Sequence, residues 1–169
     1  MVENAYLWPR MTYKDVRMRF LGSIEGKVDS KGRVFLPSAF RKALASGDGG
    51  GMVLRKDVFQ DCLVIYPEAV WNEQMDSLRL RLNRWNKAHQ QVFRQYVSEV
   101  EAVALDANGR ILIPKRYLRL AAIDQSVKFI GMGDTIELWA VEKTTQPFMD
   151  PNEFGKVLEG LMDTDDSEK

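Results

Sequence analysis

The 169-residue sequence holds one cysteine, Cys62, and one histidine, His89. A single thiol closes no internal disulfide, and one cysteine with one histidine builds no zinc site. No apolar run approaches the roughly 18 residues that span a bilayer. The first twenty residues have no continuous apolar stretch of the kind a secretory leader needs. P-loop, G-x-S-x-G, H-E-x-x-H and G-x-G-x-x-G patterns are all missing. Gly131-Met-Gly133 lacks the third glycine of the last of these and fits a hairpin. His89 stands beside Gln90 and Gln91, on what reads as the polar flank of a helix, and Cys62 opens the apolar run Cys-Leu-Val-Ile-Tyr, as a small buried residue does. Twenty-four acidic residues offer no spacing that singles out one carboxylate pair. These gaps point to a cytoplasmic protein with no catalytic residues, metal, cofactor, small-molecule substrate or membrane attachment.

Net charge is also lacking: 24 basic residues balance 24 acidic ones. The balance hides an uneven distribution. Residues 149–169 hold seven acids and two lysines, so the rest of the chain is net positive. The last seven residues, DTDDSEK, read as a solvated acidic tail. The positive charge gathers in two places. Residues 29–42 carry Lys31, Arg33, Arg41 and Lys42 against one acid, and residues 106–119 carry Arg110, Lys115, Arg116 and Arg119 against one acid.

Those two segments are copies of each other. Asp-Ser-Lys-Gly-Arg-Val-Phe-Leu-Pro at 29–37 matches Asp-Ala-Asn-Gly-Arg-Ile-Leu-Ile-Pro at 106–114. Asp29, Gly32, Arg33 and Pro37 correspond to Asp106, Gly109, Arg110 and Pro114, with Phe40 facing Tyr117 further on. Internal repetition of this kind organises a fold before anything else does. Asp-x-x-Gly is turn chemistry: the carboxylate accepts from nearby backbone N–H groups and glycine tolerates positive φ. The three apolar residues after the arginine predict a short strand, wholly buried or at a layer junction. Each proline ends that strand and can open a helix, over 38–45 and 115–122. Further strands are predicted at Phe20–Val28, 52–56, 62–66, Glu99–Leu105, 126–130 and 135–140, with residues 46–51 a flexible glycine-rich loop and 131–134 a hairpin turn.

Longer helices flank the units. Trp71, Met75, Leu78 and Leu82 form one apolar stripe. Trp85, Ala88, Val92, Phe93 and Tyr96 form a second, with Asn83 a break between the two. Phe154, Val157, Leu158, Leu161 and Met162 form a third, placed after the second unit as the first stripe is after the first unit. Units this small bury their apolar faces only against each other. The expected fold is α+β, two tandem β-rich units packed as one pseudo-two-fold domain with flanking helices.

Turn and cap geometry alone accounts for Asp29, Gly32, Pro37, Asp106, Gly109 and Pro114. It does not ask for Arg33 and Arg110. A structural role remains open to them, pairing with the box aspartate four residues earlier. The functional role is display of a planar guanidinium suited to phosphate oxygens or to guanine O6 and N7. Lys31 adds charge to the first box. Asn108 replaces it in the second and can bond a base edge or phosphate without charge, so the first box is predicted to bind anions more strongly. Arg79, Arg81, Arg84 and Arg94 read as a solvated helix face, and Phe20, Tyr66 and Trp139 as core or interface residues.

Phe20-Leu-Gly, the box Asp29-Ser-Lys-Gly-Arg33 through Pro37, Phe40-Arg, the second box Asp106 through Pro114, Tyr117-Leu and Ile136-Glu-Leu-Trp139 together resemble the MraZ family over about residues 18–145. The resemblance implies tandem AbrB-like units. It also implies a DNA-binding transcriptional regulator, a repressor of the division and cell-wall gene cluster that binds direct repeats in its own promoter as a ring-shaped homo-oligomer at the nucleoid. It transfers DNA binding to Asp29, Arg33, Asp106 and Arg110, and Lys31 and Asn108 join them as candidates. On this reading the chain divides into an N-terminal extension at 1–17, a first unit with its helix at 18–82, a connecting helix at 83–98, a second unit with its helix at 99–162 and the acidic tail at 163–169. The extension and the tail depart from the family pattern. Two alternatives are a protein-interaction scaffold and an antitoxin-like AbrB regulator.

Overall fold

The computed structural model describes residues 19–47 and 50–163. The N-terminal extension, two residues of the glycine-rich loop and nearly all of the acidic tail lie outside the described residues. The strands are β1 (Ser23–Lys27), β2 (Arg33–Phe35), β3 (Met52–Lys56), β4 (Leu63–Pro67), β5 (Val100–Val103), β6 (Arg110–Leu112), β7 (Ser126–Gly131) and β8 (Ile136–Ala140). The helices are α1 (Ser38–Ala45), α2 (Glu68–Arg81), α3 (Lys87–Ser98), α4 (Lys115–Leu120) and α5 (Pro151–Asp163), with a 3-10 turn at Val141–Thr144.

Six strands form one antiparallel sheet in the order β1-β7-β8-β4-β3-β5, and β2 pairs with β6 as a separate two-stranded ribbon. The repeat maps β1 to β5, β2 to β6, β3 to β7 and β4 to β8, so the sheet has the same order from either edge. β4 and β8 meet at its centre, with Leu63 opposite Leu138 and Ile65 opposite Ile136. Each half gives its first strand to the other: β1 lies on β7, and β5 lies on β3. The α+β class and the pseudo-two-fold packing of two units match the expectation from the repeat.

Burial follows strand alternation. Leu63 and Ile65 of β4 point to one face and join Phe20, Val34, Leu36, Phe40, Ile111, Ile113, Phe129 and Leu138 in the main core. Val64 and Tyr66 point to the other face and pack with Trp71 of α2. There Trp71 stacks on Tyr96 of α3 at 5.0 Å between ring centroids, and the buried Arg55 guanidinium sits 4.3 Å from the Tyr96 ring. Thus α2 and α3 cover one face of the sheet, and the ribbon with α1 and α4 covers the other.

Four expectations need correction. β2 and β6 are not wholly buried: Phe35 and Leu112 are exposed while Val34 and Ile111 between them are not. A run of apolar residues conceals this alternation, because nothing polar marks the outer face. Trp85 does not belong to the second helical stripe. It lies in the α2–α3 connection, 95% exposed, because Asn83 and Asn86 turn the chain there and the Asn86 side chain caps α3 by accepting from the His89 N–H. The third stripe is not packed as the first is. After β8 the position of α2 is taken by the 3-10 turn, and α5 follows with Phe154, Val157, Leu158 and Met162 exposed. α4 stops at Leu120, two residues short of the expected end, because Ala122 takes a positive φ of 53°, whereas Pro37 and Pro114 stand one residue ahead of α1 and α4, where the sequence puts them, as their N-caps.

Candidate nucleic-acid interface

Each box folds through the same local bonds. Asp29 Oδ1 accepts from the N–H groups of Lys31 and Arg33, both at 2.9 Å, and its own backbone closes a turn with Gly32 and Arg33. Asp106 Oδ1 accepts from Asn108 at 2.8 Å and from Arg110 at 2.9 Å. These backbone donors, above all the one on the arginine, hold both carboxyls below the usual aspartate range. Gly32 and Gly109 adopt φ of +88° and +80°. At Gly32 there is a second constraint, because a Cβ would come within 2.6 Å of the Ile113 carbonyl oxygen.

That close approach arises because the boxes clamp each other. The Ile113 N–H donates to the Gly32 carbonyl at 2.8 Å, and the Leu36 N–H donates to the Gly109 carbonyl at 3.1 Å. Between these clamps β2 and β6 run antiparallel, with Val34 opposite Ile111, Arg33 opposite Leu112 and Phe35 opposite Arg110. Val34 and Ile111 point into the core. By alternation, Arg33, Phe35, Arg110 and Leu112 share the outer face of the ribbon. The repeat therefore brings its two arginines onto one surface.

Both arginines also take the structural role. Arg33 Nε donates to Asp29 Oδ2, and Arg110 Nε to Asp106 Oδ2, each at 2.8 Å. The bond uses only Nε, the inner nitrogen. The terminal nitrogens have no hydrogen-bonded partner among the described residues. The side chains keep 34% and 24% of their surface exposed, so the aspartates aim the guanidinium groups outward and do not bury them. The Arg110 guanidinium lies 5.9 Å from the Phe35 ring. Lys31 and Asn108 are exposed at the tips of their turns. All four side chains that the sequence singles out thus lie on the ribbon or on its two turns. The sequence does not mark Phe35 and Leu112, because in a short apolar strand an exposed side chain has no signal of its own. Nor does it mark the place of Arg41, which crosses from α1 to lie against Gly109 of the second box.

Other reactive groups stand elsewhere. Cys62 is fully buried, and burial drives its thiol pKa upward. His89 Nδ1 accepts from the Asn83 N–H at 2.9 Å, a structural bond in the α2–α3 turn. Among the described residues no group of three or more His, Cys, Asp or Glu side chains could hold a metal ion, and no helix is long and apolar enough to cross a membrane.

Fold and site together define a class: internally duplicated α+β proteins that carry paired Asp-x-x-Gly-Arg turns on an arginine-bearing ribbon. Comparison with known proteins gives the class its family. The family model for MraZ protein, described as putative antitoxin-like, matches residues 19–95 and again 96–146, and the chain belongs to this family. A protein of Phocaeicola vulgatus named Transcriptional regulator MraZ is 59% identical over 150 residues, covering 89% of this chain and 97% of the relative. The protein of that name from Bacteroides fragilis is 57% identical over 145 residues, covering 86% and 92%. That of Christiangramia forsetii is 35% identical over 150 residues, covering 88% and 96%.

Proposed function

We propose that this chain is a transcriptional regulator that binds double-stranded DNA in a sequence-specific manner through the β2·β6 ribbon. The observation that carries the reading is the pair of guanidinium groups, each steadied at Nε and open at its terminal nitrogens, on one face of a two-stranded ribbon. A major groove about 12 Å wide admits such a ribbon, whose strands lie about 4.8 Å apart. Arg33 and Arg110 supply planar forks for guanine edges or phosphates. Lys31 contacts phosphate, Asn108 contacts a base edge or phosphate, and exposed Phe35 and Leu112 offer apolar contact to thymine methyls. Asp29, Gly32, Pro37 and their counterparts Asp106, Gly109 and Pro114 hold the turns in shape.

One ribbon neutralises few phosphates, so a single protomer binds weakly. A homo-oligomeric closed ring, arraying ribbons against direct repeats in the promoter, raises affinity through effective concentration. The exposed apolar side of α5 supplies surface for such assembly. In this reading the protein represses its own division and cell-wall gene cluster from the cytoplasm, associated with the nucleoid. The test is fluorescence anisotropy on a duplex from upstream of its own gene. Arg33→Ala should weaken binding about 5- to 150-fold, the equivalent of one bidentate base contact worth about 1–3 kcal/mol. Unchanged affinity removes Arg33 from the interface.

The exposed α5 face favours a second reading, a scaffold for partner proteins. A scaffold should pass through heparin and carry no nucleic acid on purification, whereas the regulator should be retained and released by salt.

A further inference from the structure

The cross-pairing of β2 with β6 moves charge between the halves of the molecule. By position in the sequence, Lys115 and Arg119 belong with the second box. In the fold, α4 lies beside the first box. A concavity of about 540 Å³ opens there, lined by Lys27, Asp29, Lys115, Arg119 and Asp124 among others. Lys31 stands in the adjoining turn. Lys27 Nζ donates to Ser126 Oγ at 3.0 Å, which keeps its ammonium at this side of β1. Lys31, Lys115 and Arg119 are exposed, and none has a carboxylate within 4 Å among the described residues. The negative charge of Asp29 is already engaged by Arg33.

The repeat places Ala104, Asn108, Ser38 and Lys42 where the first-box side has Lys27, Lys31, Lys115 and Arg119. One cation thus answers four. The second side gains Arg41, at the position where the first has Leu118, but the Arg41 Nε is buried without a partner and the side chain is spent covering Gly109.

We infer that Lys27, Lys31, Lys115 and Arg119 form a binding site for the phosphodiester backbone of duplex DNA, built jointly by the first box and the second half's helix and without an equivalent at the second box. This rests on the regulator reading and deepens it. The ribbon lies in the groove, and the strand passing the first box is gripped by several cations while the strand passing the second meets few. A protomer with near-two-fold backbone symmetry therefore holds DNA with a fixed polarity. The site is electrostatic, with ammonium and guanidinium groups against phosphate oxygens, and it reads no bases.

The experiment measures anisotropy of a labelled duplex from upstream of the gene, and of a scrambled duplex, across a salt series. The Lys115→Ala/Arg119→Ala double variant should weaken both duplexes by a similar factor. It should also reduce the slope of log affinity against log salt by up to about 2, near 0.9 for each phosphate left without its cation. An Arg79→Ala/Lys87→Ala control, removing equal charge from α2 and α3 on the opposite face of the sheet, should leave the slope unchanged. Conversely, Ser38→Lys/Asn108→Lys should tighten binding and steepen the slope. If the wild type binds and the Lys115/Arg119 variant keeps its slope, or if the control loses as much, the site is wrong and the regulator reading stands. If the wild type shows no salt-dependent affinity for either duplex, the regulator reading fails and the site fails with it.

Discussion

At the scale of single residues, the box aspartates connect acid chemistry to architecture. Asp29 and Asp106 titrate below the ordinary aspartate value of 3.8 because backbone N–H groups, then the arginine, favour the ionised form. A carboxylate with a depressed folded-state pKa adds stability that is complete above its unfolded pKa and is lost as pH falls through the folded value. The ribbon should therefore loosen only in strong acid, at pH below about 4. Asp29→Asn should remove part of that acid limb, seen by thermal unfolding from about pH 6 to about pH 2. Two glycines at positive φ, Gly133 of the β7–β8 hairpin and Gly32 of the first box, separate two costs. Gly133→Ala, at φ +84° with open space around it, should cost about 1 kcal/mol for the left-handed backbone alone. Gly32→Ala adds a collision with the Ile113 carbonyl and should cost about 1–3 kcal/mol. Denaturant melts of the two variants test the difference. These turns were legible in sequence because their bonds span two to four residues. The direction of Phe35 was not, because burial of a strand residue depends on what lies across the sheet.

At the scale of elements, helices and strands were legible where their signals are local. The prolines ahead of α1 and α4, the Gly131–Gly133 hairpin and the break at Asn83 all announce themselves within a few residues. What covers each element was not legible. The stripe on α5 has the same period as a core stripe, yet the 3-10 turn at Val141–Thr144 carries the helix away from the sheet. If α5 meets another protomer, as proposed for the ring, Leu158→Glu should leave the monomer's melting within about 0.5 kcal/mol, as for most surface changes. The same substitution should lower the assembled mass seen by size exclusion with light scattering. An unchanged mass places the subunit contact on another surface.

At the scale of the whole molecule, the duplication was visible as nine aligned box positions, and it pointed correctly to one fused domain. It did not reveal which half supplies which strand. Antiparallel ladders between β1 and β7 and between β5 and β3 are contacts across the repeat, and periodicity carries no record of them. Their consequence is that neither half closes a sheet of its own. Separately expressed residues 19–98 and 99–163 should each lack dispersed amide spectra, while mixing them should restore a folded complex. A folded isolated half would show that strand exchange is dispensable.

The exchange of β1 also has a meaning during synthesis. β1 ends at Lys27, and its only ladder partner among the described residues, β7, begins at Ser126. At roughly 5–20 residues per second the ribosome releases the first strand several seconds before the second exists. The nascent chain must therefore carry β1 without its ladder partner until β7 emerges, so that edge of the sheet forms only late in synthesis.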